Sequence, residues 1–155
     1  MLLVAFAALS LHAGVGCVDA ITAADTIDLG DHFEPADVIL DADDYHCVIE
    51  PEVVTKYACA AGAAGDGDGC HATRSALRLL VVDTPTRCSE GRVIGNPAPA
   101  SVTNFERSRI SVGIDADSSP FYRRPLGLDS HPRAIFEAGS VPAEQIRAWI
   151  EQGTP

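Results

Sequence analysis

Apolar and polar positions in this chain follow no single period, and the pattern predicts short helices separated by long loops. Leu2 to Leu11 (LLVAFAALSL) is a continuous apolar run of ten residues, against the roughly 20 that a membrane-spanning helix requires. Residues 18–44 are acidic and poor in aromatic side chains. Self-repulsion predicts an extended segment there, with Val38-Ile39-Leu40 forming a short strand or turn if its last part packs. Pro51 to Tyr57 (PEVVTKY) reads as a short helix with Pro51 in its first turn and Val53, Val54 and Tyr57 on one face. Ala60 to Gly69 (AAGAAGDGDG) is a small-residue loop. Ala72 to Leu80 fits a helix, and equally a turn capped by Ser75 before an alternating Leu77-Leu79-Val81 strand. Residues 83–103 read as a Pro/Gly-rich loop containing Cys88, and 104–114 are mixed. Ser118-Ser119-Pro120 opens a helical turn through Tyr122. Pro142 to Gln152 is the clearest helix, with Ile146, Trp149 and Ile150 on one face and Gly153 as its stop. The expectation is a mainly α domain of short helices with long loops, following an acidic N-terminal segment.

Charge sharpens that division. The chain has 155 residues and a formal net charge of −11. Residues 1–55 hold eleven acids and no Lys or Arg, whereas the remainder holds eleven of each. The acidity therefore belongs to the leader-proximal part. Overall it disfavours nucleic acid and anionic lipid headgroups as partners. The predicted organisation is a signal peptide at 1–16, an acidic tether at 17–44 and one domain at 45–155. Without residues 1–16, 32 of 139 residues are Leu, Ile, Val or Phe. So modest a core benefits from cross-links or a bound cofactor.

The apolar run fits the central segment of a secretory signal peptide, with small residues preceding a cleavage point. Gly14-Val15-Gly16-Cys17 resembles a bacterial lipoprotein signal. That resemblance implies lipid attachment at Cys17, and a place on the periplasmic side of a membrane or, with ordinary cleavage, secretion. Five cysteines in a short exported chain fit an oxidising compartment.

Cys70-His71 carries the most chemical information. In a c-type heme site two cysteines bond to the heme vinyl groups, and the histidine directly after the second ligates iron. The usual attachment sequence has two residues between the cysteines. Here Cys59 and Cys70 enclose ten, small and flexible enough to loop out while the ends meet. Zinc is a poorer match, since no second pair has ligand spacing. Asp66-Gly67-Asp68-Gly69 lacks the third acid and terminal Glu of a calcium loop.

Together, Tyr57-Ala58-Cys59, Gly69-Cys70-His71, Ser75 to Leu79, Asp117 to Leu126 and Ile146 to Gly153 resemble the small c-type cytochrome domains of bacterial envelope proteins. The resemblance spans residues 45–155. It implies a cytochrome c-like fold, a single heme c held through Cys59 and Cys70, His71 as proximal iron ligand and His131 as distal ligand. His46 and His32 are weaker ligand candidates. It also implies one-electron transfer to redox partner proteins of the cell envelope. The chain has no internal Met to serve as axial ligand, and replacing Met by His lowers a heme potential. Arg123 and Arg124 match heme propionates chemically, as guanidinium forks suit carboxylates, and equally suit a solvated surface pair.

With Cys17 lipidated, heme attachment leaves Cys47 and Cys88 for one disulfide. A heme-free alternative pairs Cys59 with Cys70 and Cys47 with Cys88, giving a disulfide-stapled interaction module on the same scaffold. Enzymatic readings find no support: no Gly-x-Ser-x-Gly elbow occurs, and no close Cys pair sits near a βαβ pattern.

Overall fold

The computed structural model describes residues 38–61, 71–72 and 75–153. The signal peptide, most of the tether, Cys17, His32 and Cys70 lie outside the described residues. Within them the chain is mainly helical with one small hairpin, in keeping with the expected class of short helices and long loops.

Asp41 caps the first helix, its side chain accepting the Asp44 N–H at 3.1 Å. α1 (Ala42–Asp44) runs without a break into a π-helical stretch, Tyr45–Thr55. Pro51 therefore lies inside a helix that starts nine residues before it, and not in a first turn as its sequence context predicts. A proline there lacks a hydrogen to donate and crowds the carbonyl of Cys47, four residues back. Widening the helix relieves that crowding. The stretch buries Tyr45, His46, Ile49, Glu50, Val53 and Val54.

β1 (Cys88–Ser89) and β2 (Arg92–Val93) pair antiparallel around Glu90-Gly91, both left-handed as two-residue hairpins favour. A disulfide between Cys47 and Cys88 fastens this hairpin to the first helix. α2 (Pro99–Arg109) starts with proline at its first helical positions. Residues 83–103 thus contain a hairpin and the start of a helix, where composition alone reads as loop. α2 had no visible hydrophobic period because its buried face is polar: Ser101, Asn104 and Ser108 are wholly buried. Residues 75–82 form bends and irregular chain: the turn capped by Ser75 is present, with Ser75 Oγ accepting the Leu77 N–H at 3.1 Å, but the Leu77-Leu79-Val81 strand expected after it does not form.

α3 (Pro120–Arg123) passes into a 3₁₀ turn at Arg124–Leu126. α4 (Val141–Glu151) has the apolar face expected of it, with Ile146, Trp149 and Ile150 buried. Trp149 anchors the core, its ring 5.3 Å from Tyr45 and 5.7 Å from Phe121. Its indole N–H donates to the Asp41 carbonyl at 2.9 Å. Leu40 is buried and Val38 packs against the core, so the last residues of the acidic segment belong to the packed structure. Gly153 makes that possible: a Cβ there would lie 2.5 Å from Val38 Cγ1 and 3.1 Å from Leu40 Cδ2.

Candidate functional site: a two-histidine cavity

A cavity of about 360 Å³ opens between the π-helical stretch, α3 and the loop from residue 127 to 140. Its volume falls in the range of roughly 300–1,000 Å³ typical of cofactor and small-molecule sites. Val54, Tyr57, Leu79, Phe121, Phe136 and Ile146 supply much of an apolar wall. Cys59, His71 and His131 are among the polar residues that share it.

Cys59 arrives at the cavity through a left-handed turn. Ala58, just before it, has φ +52°, a conformation that costs an alanine energy and persists only where surrounding packing enforces it. The Cys59 carbonyl accepts the His71 N–H at 3.3 Å. Cys59 and His71 are therefore neighbours in space. Cys59 is a free thiol, and burial, followed by the charge of Glu50, pushes it up to about 11. It is held protonated at neutral pH.

His71 is positioned by the capped turn that follows it. Its Nδ1 lies 2.9 Å from the Leu77 carbonyl, and its own carbonyl accepts the Leu79 N–H at 2.7 Å. His131 is positioned by a second strained turn: Asp129 and Ser130 are both left-handed, with φ of 54° and 62°. Arg123 clamps that turn, donating from Nε and Nη2 to the two Asp129 carboxylate oxygens at 2.6 and 2.7 Å. This pairing lowers the Asp129 carboxyl and raises the Arg123 guanidinium from their ordinary values. Arg123 is thus committed to Asp129, as a positioning residue for His131. Asp129 escaped sequence reasoning because a lone acid between Leu128 and Ser130 has no pattern. Arg124 lines the cavity wall itself.

His131 Nδ1 lies 2.6 Å from the Arg133 carbonyl. A carbonyl only accepts, so Nδ1 of both imidazoles carries a hydrogen, and in the neutral ring Nε2 is the nitrogen with the lone pair. Burial chiefly, with smaller contributions from His131 and Arg124 against the opposing Leu77 bond, lowers His71 below the ordinary imidazole value and keeps it neutral. The two rings lie 6.2 Å apart, centre to centre, with planes 15° from parallel. That separation lies towards the outer end of the roughly 4.5–7 Å over which rings pair. Two imidazoles bound end-on to one metal, each with a nitrogen about 2 Å from it, have ring centres roughly 6 Å apart.

Two side chains cannot complete a protein-only metal site, and among the described residues no group of three or more His, Cys, Asp or Glu gathers around a common point. The pair can supply two imidazole donors to a metal whose remaining ligands come from elsewhere. His46, by contrast, lies in a buried polar network, its Nδ1 2.8 Å from Ser101 Oγ, and does not border the cavity.

Compared with known proteins, the chain matches no family model, no curated protein and no solved structure.

Proposed function

We propose that the protein is a single-heme c-type cytochrome-like electron carrier of the cell envelope. The observation that supports this reading most is the pair of imidazoles on one apolar cavity, both with Nδ1 tied to backbone carbonyls and Nε2 left as a lone-pair donor. Tying Nδ1 fixes tautomer and ring orientation and raises the basicity of the ligating nitrogen. His71 and His131 would hold the iron from its two sides, and Cys59 with Cys70 would anchor the porphyrin edge through thioethers. Heme supplies a one-electron couple, and bis-histidine ligation places it lower than His/Met ligation would.

The chain's own contribution is orientation and solvent exclusion. Phe121, Phe136, Leu79 and Ile146 present apolar surface to the ring, and low polarity around a redox centre helps to set its potential. With His71 and His131 both given over to holding the group, transfer of electrons to partner proteins is the role we assign, without catalysis. Export and lipid attachment at Cys17 complete the proposal and derive from the sequence pattern alone.

The deciding experiment is expression in a host with heme-attachment machinery, followed by denaturation and absorbance measurement. Covalent heme that survives denaturation, with one disulfide by mass, is the expected result. Absence of heme absorbance together with two disulfides would overturn the proposal in favour of a stapled interaction module.

A further inference from the structure

Behind the cavity lies a carboxylate that electron carriage as described does not use. Glu50, on the π-helical stretch, is 3% exposed. Its oxygens accept from Asn104 Nδ2 at 3.3 and 3.4 Å, from Thr55 Oγ1 at 3.4 Å and from Ser101 Oγ at 3.5 Å. Every one of these donors is neutral and every bond is long. A carboxylate charge is poorly supported there, since burial without a cation costs several kcal/mol.

The charged and titratable groups around it are accounted for element by element. On its own helix, His46 is held neutral by burial, Tyr45 is shared between Ser108, at 3.1 Å, and a hydrogen bond to Glu50 itself, and Lys56 pairs with Glu52 at the surface. From α2 only Ser101 and Asn104 reach it, while Arg109 pairs with Glu106 and Arg107 bonds the Arg78 carbonyl on the outside. From the hairpin, Arg92 pairs with Asp43. From α4, Arg147 pairs with Asp117 and Glu151. From the extended segment come Leu80, Val81 and Val82, flanked by exposed Arg78 and Asp83. Cys59 is a neutral thiol that nonetheless feels the Glu50 charge.

Two geometric features connect this group outward and inward. A second cavity, of about 30 Å³, is bordered by Glu50 and the exposed Thr55. It is large enough for a water molecule, which needs roughly 10–15 Å³. Val54 and Ala58 border both cavities, so one layer of side chains separates Glu50 from the two-histidine cavity.

We propose that Glu50 is a redox-linked proton-binding site: it takes a proton from solvent by way of Thr55 when the heme gains an electron, and returns it on oxidation. The inference rests on the electron-carrier reading. In the coupled step the iron gains one electron from an external one-electron donor, and the Glu50 carboxylate gains one proton, so the net charge of the pair of sites is unchanged. Linkage is reciprocal: an added negative charge in the large cavity raises proton affinity at Glu50, and loss of that proton favours the oxidised state. At neutral pH the carboxyl is poised to respond, since burial raises it to about 7 against the opposing bonds from Asn104, Thr55, Ser101 and Tyr45.

The test uses the heme-loaded protein, with heme content measured first on the same sample. Reduced-minus-oxidised infrared spectra should show a protonated-carboxyl carbonyl band that grows on reduction and disappears in Glu50→Gln. The midpoint potential should fall with rising pH across the neutral range in the unaltered protein and lose that dependence in the variant. Should Glu50→Gln fail to fold, proton uptake by the unaltered protein on dithionite reduction, followed with a pH indicator, gives the same answer. Loaded protein showing neither a carboxyl band nor proton uptake on reduction overturns the inference and leaves the carrier reading intact. Protein without heme overturns both.

Discussion

Arg123 grips Asp129 through two hydrogen bonds of 2.6 and 2.7 Å, and in doing so holds a pair of left-handed residues immediately before His131. Such backbone is retained only where its surroundings enforce it. Asp129→Ala should therefore loosen the His131 turn without unfolding the domain, because the pair lies at the surface. In heme-loaded protein the expected result is a mixture of low- and high-spin spectra, with the heme still covalently attached. Ser130→Gly, which relieves strain at the neighbouring position, should leave the low-spin spectrum unaltered. An unchanged spectrum in Asp129→Ala would show that the clamp does not position the histidine.

The two imidazoles themselves should behave differently on substitution. His131→Ala should preserve attachment but abolish bis-histidine low-spin absorption, and added imidazole should restore it by entering the vacated volume. His71→Ala should lose low-spin character too, and also the bond to Leu77 that orders the turn capped by Ser75. An unaltered spectrum in His131→Ala would remove it as a ligand.

The parts of this architecture that were legible in the sequence are those carried by apolar periodicity or by paired chemical types. α4 announces itself through Ile146, Trp149 and Ile150, and the Cys70-His71 dipeptide through its chemistry. α2 was illegible for a physical reason: it buries Ser101, Asn104 and Ser108, whose partners Glu50, Leu80 and Tyr45 lie 24 to 63 residues away. Its stabilisation is a long-range polar network, which no local window can register. The first helix was misplaced because Pro51 normally marks a start, and its accommodation by π-helical widening depends on packing of Ile49 and Val53. The role of Arg123 was hidden because it depends on Asp129, six residues on and across a turn in which left-handed Asp129 and Ser130 follow left-handed Gly127.

Glu50 also makes stability depend on pH in a defined direction. Its folded value is raised to about 7 from 4.5. The protonated form thus favours the folded state fully below about pH 4.5, and that advantage is lost as pH rises through about 7. The difference corresponds to roughly 3 kcal/mol at about 1.36 kcal/mol per unit. His46 and His71, both lowered by burial, act in the opposite direction as pH falls below the ordinary imidazole range. Subtracting the denaturation free energies of Glu50→Gln from those of the unaltered protein isolates the carboxyl. The difference should favour the variant progressively more as pH rises to neutrality. A flat difference would place Glu50 in water.

Removing the Cys47–Cys88 disulfide should release the hairpin from the first helix. The bond closes a loop with a sequence separation of 41 residues, for which chain entropy gives about 4 kcal/mol as an upper figure. The double substitution Cys47→Ser, Cys88→Ser should lower the unfolding free energy by an amount of that order, about 2–4 kcal/mol. His46 and Glu50 lie on the helix that this bond anchors, and they pair with Ser101 and Asn104 of α2 just beyond the hairpin. Loss of the staple should therefore raise hydrogen exchange first in residues 88–104 and only later in α4, which the Trp149 core holds independently. Uniform exchange across the domain would mean that hairpin and core unfold as one unit.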